Sequence, residues 1–229
     1  MINQSQRIAA RVAAITYPLA FFIVAAAFYR FYAPLIVLND GAATARNIAA
    51  HEQDFRLYLT AALSHGVGVV VLLAALYVVL RPVSQGLALF ATLCRLVYGL
   101  MWLVQLVDWF GALRAAREAE NLQPLAAMRL ASAGDAYYVG LGFYGLGTLV
   151  FGWLWFKSRY VPRALAAWGI LASLFMGFCG FAYLVFPRFD AIVSVNWYEG
   201  PVALFELGIS IWILARGLRP PAIMKTAQA

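Results

Sequence analysis

The chain has 229 residues, of which 64% are hydrophobic and 12% charged, and its formal net charge is +7; its mean hydropathy is +0.79. Soluble domains carry roughly 45–50% apolar and about 25% charged residues, so the composition excludes that class and points to a membrane protein. The positive balance does not indicate nucleic acid, and none is expected as a partner, because the basic residues gather at the ends of apolar segments, where they set orientation.

About 20 apolar residues in a helix cross the ~30 Å of bilayer hydrocarbon. The first such block covers residues 12–29, broken only by Pro18 and preceded by Arg7 and Arg11. A cleaved signal peptide is its alternative reading, with Ala25, Ala26 and Ala27 offering small-residue cleavage geometry; an uncleaved span is preferred. Further blocks cover residues 57–80, 86–110, 136–156, 164–186 and 200–218. The expectation is an all-α polytopic membrane protein, with residues 1–229 forming one transmembrane domain that is a six-transmembrane-helix bundle.

An even number of spans puts both termini on one side. The N-terminus, the turns over 81–85 and 157–163, and the tail carry Arg7, Arg11, Arg81, Lys157, Arg159, Arg163, Arg216, Arg219 and Lys225 with no acidic residue. Seven arginines on the other side are spread over longer connections and mixed with eight carboxylates. Basic residues in short loops count most, so both termini are expected to be cytoplasmic. The outer loops over 31–56 and 111–134 are expected to be partly helical. Asn39 or Asp40 is placed to cap a helix over 42–52, and residues 112–131 have amphipathic, helix-forming composition. Both segments read as interfacial helices on the outer face, either simple packing or a lid over the bundle.

Gly140, Gly142 and Gly145 spell GxGxxG, but in mid-span, without the strand and acidic partner that a dinucleotide site requires. At 100° per residue, Gly142, Gly145 and Gly152 share one face and Gly140 and Gly147 another, so this helix is expected to be central and closely approached from two sides. Gly169, Ser173 and Gly177 make a second small-residue ridge on the fifth span. Trp109, Trp153, Trp155, Trp197 and Trp212 lie toward segment ends, as an interfacial aromatic belt would. Cys94 and Cys179 lie in apolar segments, without a CxxC or Cys/His pattern, and read as buried small hydrophobes.

Ionisable groups inside the hydrocarbon are costly and mark a structural pair or a functional pathway. His65, Arg95 and Glu206 all count to near the midplane from their segment ends. Arg95, Tyr98, Trp102 and Gln105 fall within about 80° on the third span and are expected to face the interior. Glu206 is the carboxylate at matching depth, so an Arg95–Glu206 ion pair is expected, either fixing helix register or binding a ligand. Asp108 is expected near the outer interface, solvated or paired with a loop arginine, and Asp135 as a helix cap. His51 falls in an outer loop, so His65 reads as a hydrogen-bonded core histidine rather than half of a haem ligand pair. No catalytic motif, metal site or cofactor is expected: the His51-Glu52 pair lacks the second histidine of HExxH, and GxSxG is absent.

The segment Asp40-Gly41-Ala42-Ala43-Thr44-Ala45-Arg46-Asn47-Ile48, with His51-Glu52 and Phe55-Arg56-Leu57 behind it, resembles the first outer loop of a bacterial membrane family catalogued as domain of unknown function 4386. Leu80-Arg81-Pro82-Val83-Ser84, Arg95-Leu96-Val97, Gly140-Leu141-Gly142-Phe143-Tyr144-Gly145-Leu146, Lys157-Ser158 with Pro162-Arg163, and Glu206 continue the likeness over nearly the whole chain. The resemblance implies a six-helix bacterial membrane protein, expected in the bacterial cytoplasmic (inner) membrane, and supplies no chemistry; Ser64-His65-Gly66 departs from its usual pattern. Two functions are carried forward. One is a binding or transport protein whose polar cluster of Arg95, Glu206, His65 and Tyr144 takes a small amphiphilic or lipidic ligand among the membrane lipids. The other is a non-catalytic accessory subunit of a larger membrane complex; an intramembrane enzyme would need a nucleophile or metal cluster that the sequence lacks.

Overall fold

A computed structural model of the chain describes residues 2–38, 40–118, 122–186 and 188–219. Six of its helices are long and apolar enough to cross a membrane, and no strand occurs among the described residues. The first, α1 (Gln4–Ala27), starts at a capping box in which the Asn3 side chain accepts from Gln6 N at 2.8 Å and the Gln6 side chain accepts from Asn3 N at 3.2 Å. It runs on through a π turn (Phe28–Tyr32) and a 3-10 turn (Ala33–Leu35). A short helix, α2 (Gly41–Ala50), leads into α3 (Glu52–Leu80) and α4 (Gln85–Glu118). Then come α5 (Gln123–Ser158), α6 (Arg163–Val185), the single turn α7 (Phe189–Ile192) and α8 (Asn196–Arg216).

One connection differs from the sequence expectation. At about 1.5 Å per residue, the 34 residues of α4 and 36 of α5 make rods of about 51 and 54 Å, far longer than the ~30 Å hydrocarbon. Residues 112–118 and 123–134 are therefore the outer ends of two spanning helices, not a helix lying on the membrane face. The cause is local: that stretch is rich in Ala, Arg, Leu and Glu, good helix formers that continue a helix once it is nucleated. Asp135, deep inside α5, is consequently no cap; it accepts a hydrogen bond from the Tyr183 hydroxyl at 3.0 Å. The other outer segment contains its helix, capped by Asp40, whose side chain accepts from Ala43 N at 2.8 Å. The alternative cap, Asn39, lies outside the described residues. Helix α2 packs on the projecting ends of α4 and α5, with Ala45 and Ile48 fully buried and Asn47 Nδ2 donating to Leu35 O at 3.1 Å.

Each spanning helix packs on its chain neighbour, α1 on α3, α3 on α4, α4 on α5, α5 on α6 and α6 on α8; α8 then returns to α1 and closes a ring. Glycines set the closest approaches. A Cβ on Gly140 or Gly147 would press on α4, at Tyr98 and Met101 or at Arg95 and the Ala91 carbonyl. A Cβ on Gly145 or Gly152 would press on α6, at Gly177 and the Ser173 carbonyl or at Ile170. The two glycine faces of α5 thus serve two different neighbours, and 56% of its apolar window is buried, the largest share of any span.

One end of the ring collects the start of α1 and the residues that follow α8. Gln6 Nε2 donates to Val79 O at 3.1 Å and to the Tyr160 hydroxyl at 3.4 Å, and Arg219 N donates to Tyr160 O at 3.0 Å. These bonds tie the start of α1, the α3–α4 turn, the α5–α6 turn and the residues after α8 into one face, which carries the basic residues of the short turns. The aromatic belt is smaller than its sequence pattern. Trp153 and Trp197 are exposed, whereas Trp155 is core and Trp109 packs among Tyr32 and Tyr58, at 5.6 and 5.1 Å between centroids. Helix α4 runs more than two turns past Trp109, which puts that residue in the interior rather than at a segment end.

Gly145→Ala would place its Cβ 2.6 Å from Gly177 N and Cα, backbone atoms that cannot rotate away. It is expected to destabilise the protein by about 1–3 kcal/mol, the usual cost of overpacking. Gly134→Ala, with no atom within 4 Å, is expected to be neutral or to gain up to ~1 kcal/mol from helix propensity. Thermal melting of the two variants in one detergent tests the contrast.

Candidate functional site

The centre of the ring is polar. Arg95, ten residues from the start of α4, and Glu206, ten from the end of α8, both lie about 15 Å from the basic end, at half the hydrocarbon depth. Arg95 Nη1 donates to Glu206 Oε1 at 2.5 Å and to Thr148 Oγ1 at 2.6 Å. The Tyr144 hydroxyl donates to Glu206 Oε2 at 2.9 Å, and its ring lies under the guanidinium, with Arg95 Cζ 3.8 Å from the centroid. The side chains of Arg95 and Glu206 are 2% and 12% exposed, so the pair is shielded from water and held by charge-assisted bonds. Arg95 Nε has no acceptor among the described residues.

The helices seat this pair through small residues. Gly147 leaves the space that Arg95 fills, since a Cβ there would stand 2.8 Å from Arg95 Cγ and 3.1 Å from its backbone nitrogen. Gly169 does the same for α8: a Cβ would overlap the ring of Phe205, the residue before Glu206. Thr148 follows Gly147 and lies one turn from Tyr144, which brings both partners onto the face of α5 that meets the charges.

Two cavities flank the pair and share Tyr17 and Leu72 in their walls. The one toward the basic end is about 30 Å³, apolar, and reaches Glu206, Thr148 and Trp155. The other is about 90 Å³ and is lined by residues from all six spanning helices: Tyr17 of α1, His65 of α3, Arg95 of α4, Tyr144 of α5, Met176 of α6 and Glu199 of α8 among them. A single water needs roughly 10–15 Å³, so the larger cavity is a chamber with room for several waters or a small polar group.

The four residues singled out from the sequence come together unequally. Arg95, Glu206 and Tyr144 form one bonded cluster, as the depth count anticipated for the ion pair. His65 lines the chamber but makes no bond to the pair; its Nδ1 lies 3.2 Å from the Ala20 carbonyl and its ring 5.0 Å from that of Trp102. This is the hydrogen-bonded core histidine expected, and His51 lies apart, exposed, with Nδ1 3.1 Å from Asn47 O. Trp102 Nε1 donates to Ala62 O at 2.9 Å, while Arg95, Tyr98 and Gln105 are buried, so the polar stripe of α4 does face inward. Asp108 takes its arginine from α5: Arg129 Nη1 donates to Oδ1 at 2.9 Å and the Ser132 hydroxyl to Oδ2 at 2.7 Å. Cys94 and Cys179 are buried free thiols. No group of three or more potential metal ligands occurs among the described residues.

Sequence reasoning missed Thr148, Tyr17 and Glu199. Glu199 precedes Glu206 by seven residues, two helical turns, and so shares its face. That signal was readable but for the helix start: α8 begins at Asn196, before Gly200 and Pro201, and draws Glu199 into the bundle.

This architecture defines a multi-pass helical membrane protein with a charged pair and a chamber at its centre. The chain belongs to the family described as Domain of unknown function (DUF4386), whose model matches residues 12–217. It is also similar to a protein of Archaeoglobus fulgidus described as an uncharacterized protein, with 24% identity over 156 residues that cover 66% of this chain and 78% of that one. No solved structure matches.

Removing one member of a buried pair leaves the other charge uncompensated, at a cost of about 3–5 kcal/mol, whereas replacing both with apolar residues is often neutral. Arg95→Met is therefore expected to lower the melting temperature sharply, and Arg95→Met/Glu206→Leu to recover most of the loss. Equal melting of the single variant and the wild type would show that the pair contributes nothing.

Proposed function

We propose that the protein binds or transports a small amphiphilic or lipidic ligand, whose polar end enters the chamber beside Arg95, Glu206, Tyr144 and His65. One observation carries the reading: all six spanning helices converge on a chamber whose wall includes Arg95, paired with Glu206 behind it, at a depth where ionisable groups are costly and are candidates for function. A pair that served only to fix helix register would be expected to be packed over on both sides. The projecting ends of α4 and α5 with α2 across them form the outer cap of this reading. The accessory-subunit alternative calls for a flat small-residue ridge turned outward; Gly140, Gly145, Gly147, Gly152 and Gly169 are instead occupied inside the ring, which favours ligand binding.

The basic face, with the ends of α1 and α8 and two short turns, is assigned to the cytoplasm by the rule that short basic loops stay inside, and the bacterial inner membrane is the corresponding location. The chamber then lies on the outer side of the ion pair.

Native mass spectrometry of the protein in mild detergent tests the reading. The wild-type chain is expected to carry a small-molecule or lipid adduct, and Arg95→Met/Glu206→Leu to fold without it. An adduct-free chain whose melting no amphiphile raises contradicts ligand binding, and retention of a second polypeptide instead supports the accessory subunit.

A further inference from the structure

Beside the ion pair, the chamber wall holds a second carboxylate. Arg95 and Glu206 cancel, both oxygens of Glu206 are engaged, and Arg95 Nη1 donates to both Glu206 and Thr148. Glu199 remains. Its carboxylate lines the same chamber one level nearer the outer end, about 10 Å along α8 from Glu206, and makes no salt bridge among the described residues. The four aromatic side chains Tyr17, Phe21, Tyr98 and Tyr144 share the walls.

We propose, resting on the ligand-binding reading above, that the chamber is a site for an organic cation: the ammonium head of an amphiphile, with Glu199 as its counter-charge and the aromatic rings as its walls. An anionic head is disfavoured, because it would meet the Glu199 carboxylate, and the guanidinium that would attract it is already bonded to Glu206 and covered on one face by the Tyr144 ring. A metal ion is disfavoured because Glu199 and His65 do not make a set of three ligands. Ammonium groups suit what is present, since a carboxylate supplies charge and ring faces attract a weakly hydrated cation. The volume fits as well. About 90 Å³ is well below the ~300–1,000 Å³ of a pocket for a drug-sized molecule, so it takes a headgroup and leaves the apolar chain outside.

The test compares three probes of one chain length, decyltrimethylammonium, decanoate and decanol, titrated against the full-length protein in a nonionic detergent and followed by tryptophan fluorescence. The wild type is expected to bind the ammonium at least about tenfold more tightly than decanoate or decanol. Glu199→Gln should bring the ratio of ammonium to decanol affinities to about one, and Glu199→Asp, which keeps the charge, should retain the preference. Equal or tighter binding of decanoate or decanol overturns the cation assignment and leaves amphiphile binding standing. A preference that survives Glu199→Gln also overturns it, since the cation is then held elsewhere. Binding of none of the three overturns this inference and the ligand-binding reading together.

Discussion

A guanidinium and a carboxylate meeting at mid-bilayer depth constrain everything around them. In a medium of low dielectric neither charge is tolerable alone, and their attraction offsets desolvation only when geometry is good and further hydrogen bonds satisfy the pair. Thr148 and Tyr144 supply those bonds, one to the cation and one to the anion. Because Arg95 stands on α4, Glu206 on α8 and both hydroxyls on α5, the pair ties together helices that are distant in the chain. The ring closure of α8 onto α1 depends on α8 sitting at this depth and rotation.

The glycines follow from the same constraint. Association of helices in lipid lacks the hydrophobic drive available in water and relies on close packing and polar contacts. Gly147 lets α4 approach α5 at the point where Arg95 must pass, and Gly169 admits Phe205 beside Glu206. Close packing on either side of α5 leaves the remaining gap on the outer side of the pair, where residues of all six spanning helices reach its wall. The gap is lined by Tyr17, His65 and Glu199 rather than by aliphatic residues alone, and that polarity separates a chamber from a void.

Much of this was legible from residue spacing. The two glycine faces of α5 followed from 100° per residue, and the ion pair followed from counting depth inward from each helix end, because hydrocarbon thickness and helical rise are both fixed. The failures share one cause, the placement of helix ends. Apolar blocks mark where lipid begins, and helices do not stop there: α4 and α5 continue on helix-forming Ala, Arg and Glu residues, and α8 starts before Gly200 and Pro201. Trp109 was therefore assigned to a belt and Asp135 to a cap, and Glu199 fell just outside the span expected over 200–218. Thr148 and Tyr17 carried no signal of their own, since a lone hydroxyl in an apolar span acquires meaning only from the charge it faces.

The central claim is that the space beside the Arg95–Glu206 pair exists to hold a guest. A high-resolution density map of the protein extracted in mild detergent addresses it directly. The account predicts non-protein density in the chamber between Tyr144 and Glu199, with a head among the aromatic rings. A chamber closed by repacked side chains, with Arg95 and Glu206 still paired and no density beside them, would contradict the account and leave the pair a purely structural bond.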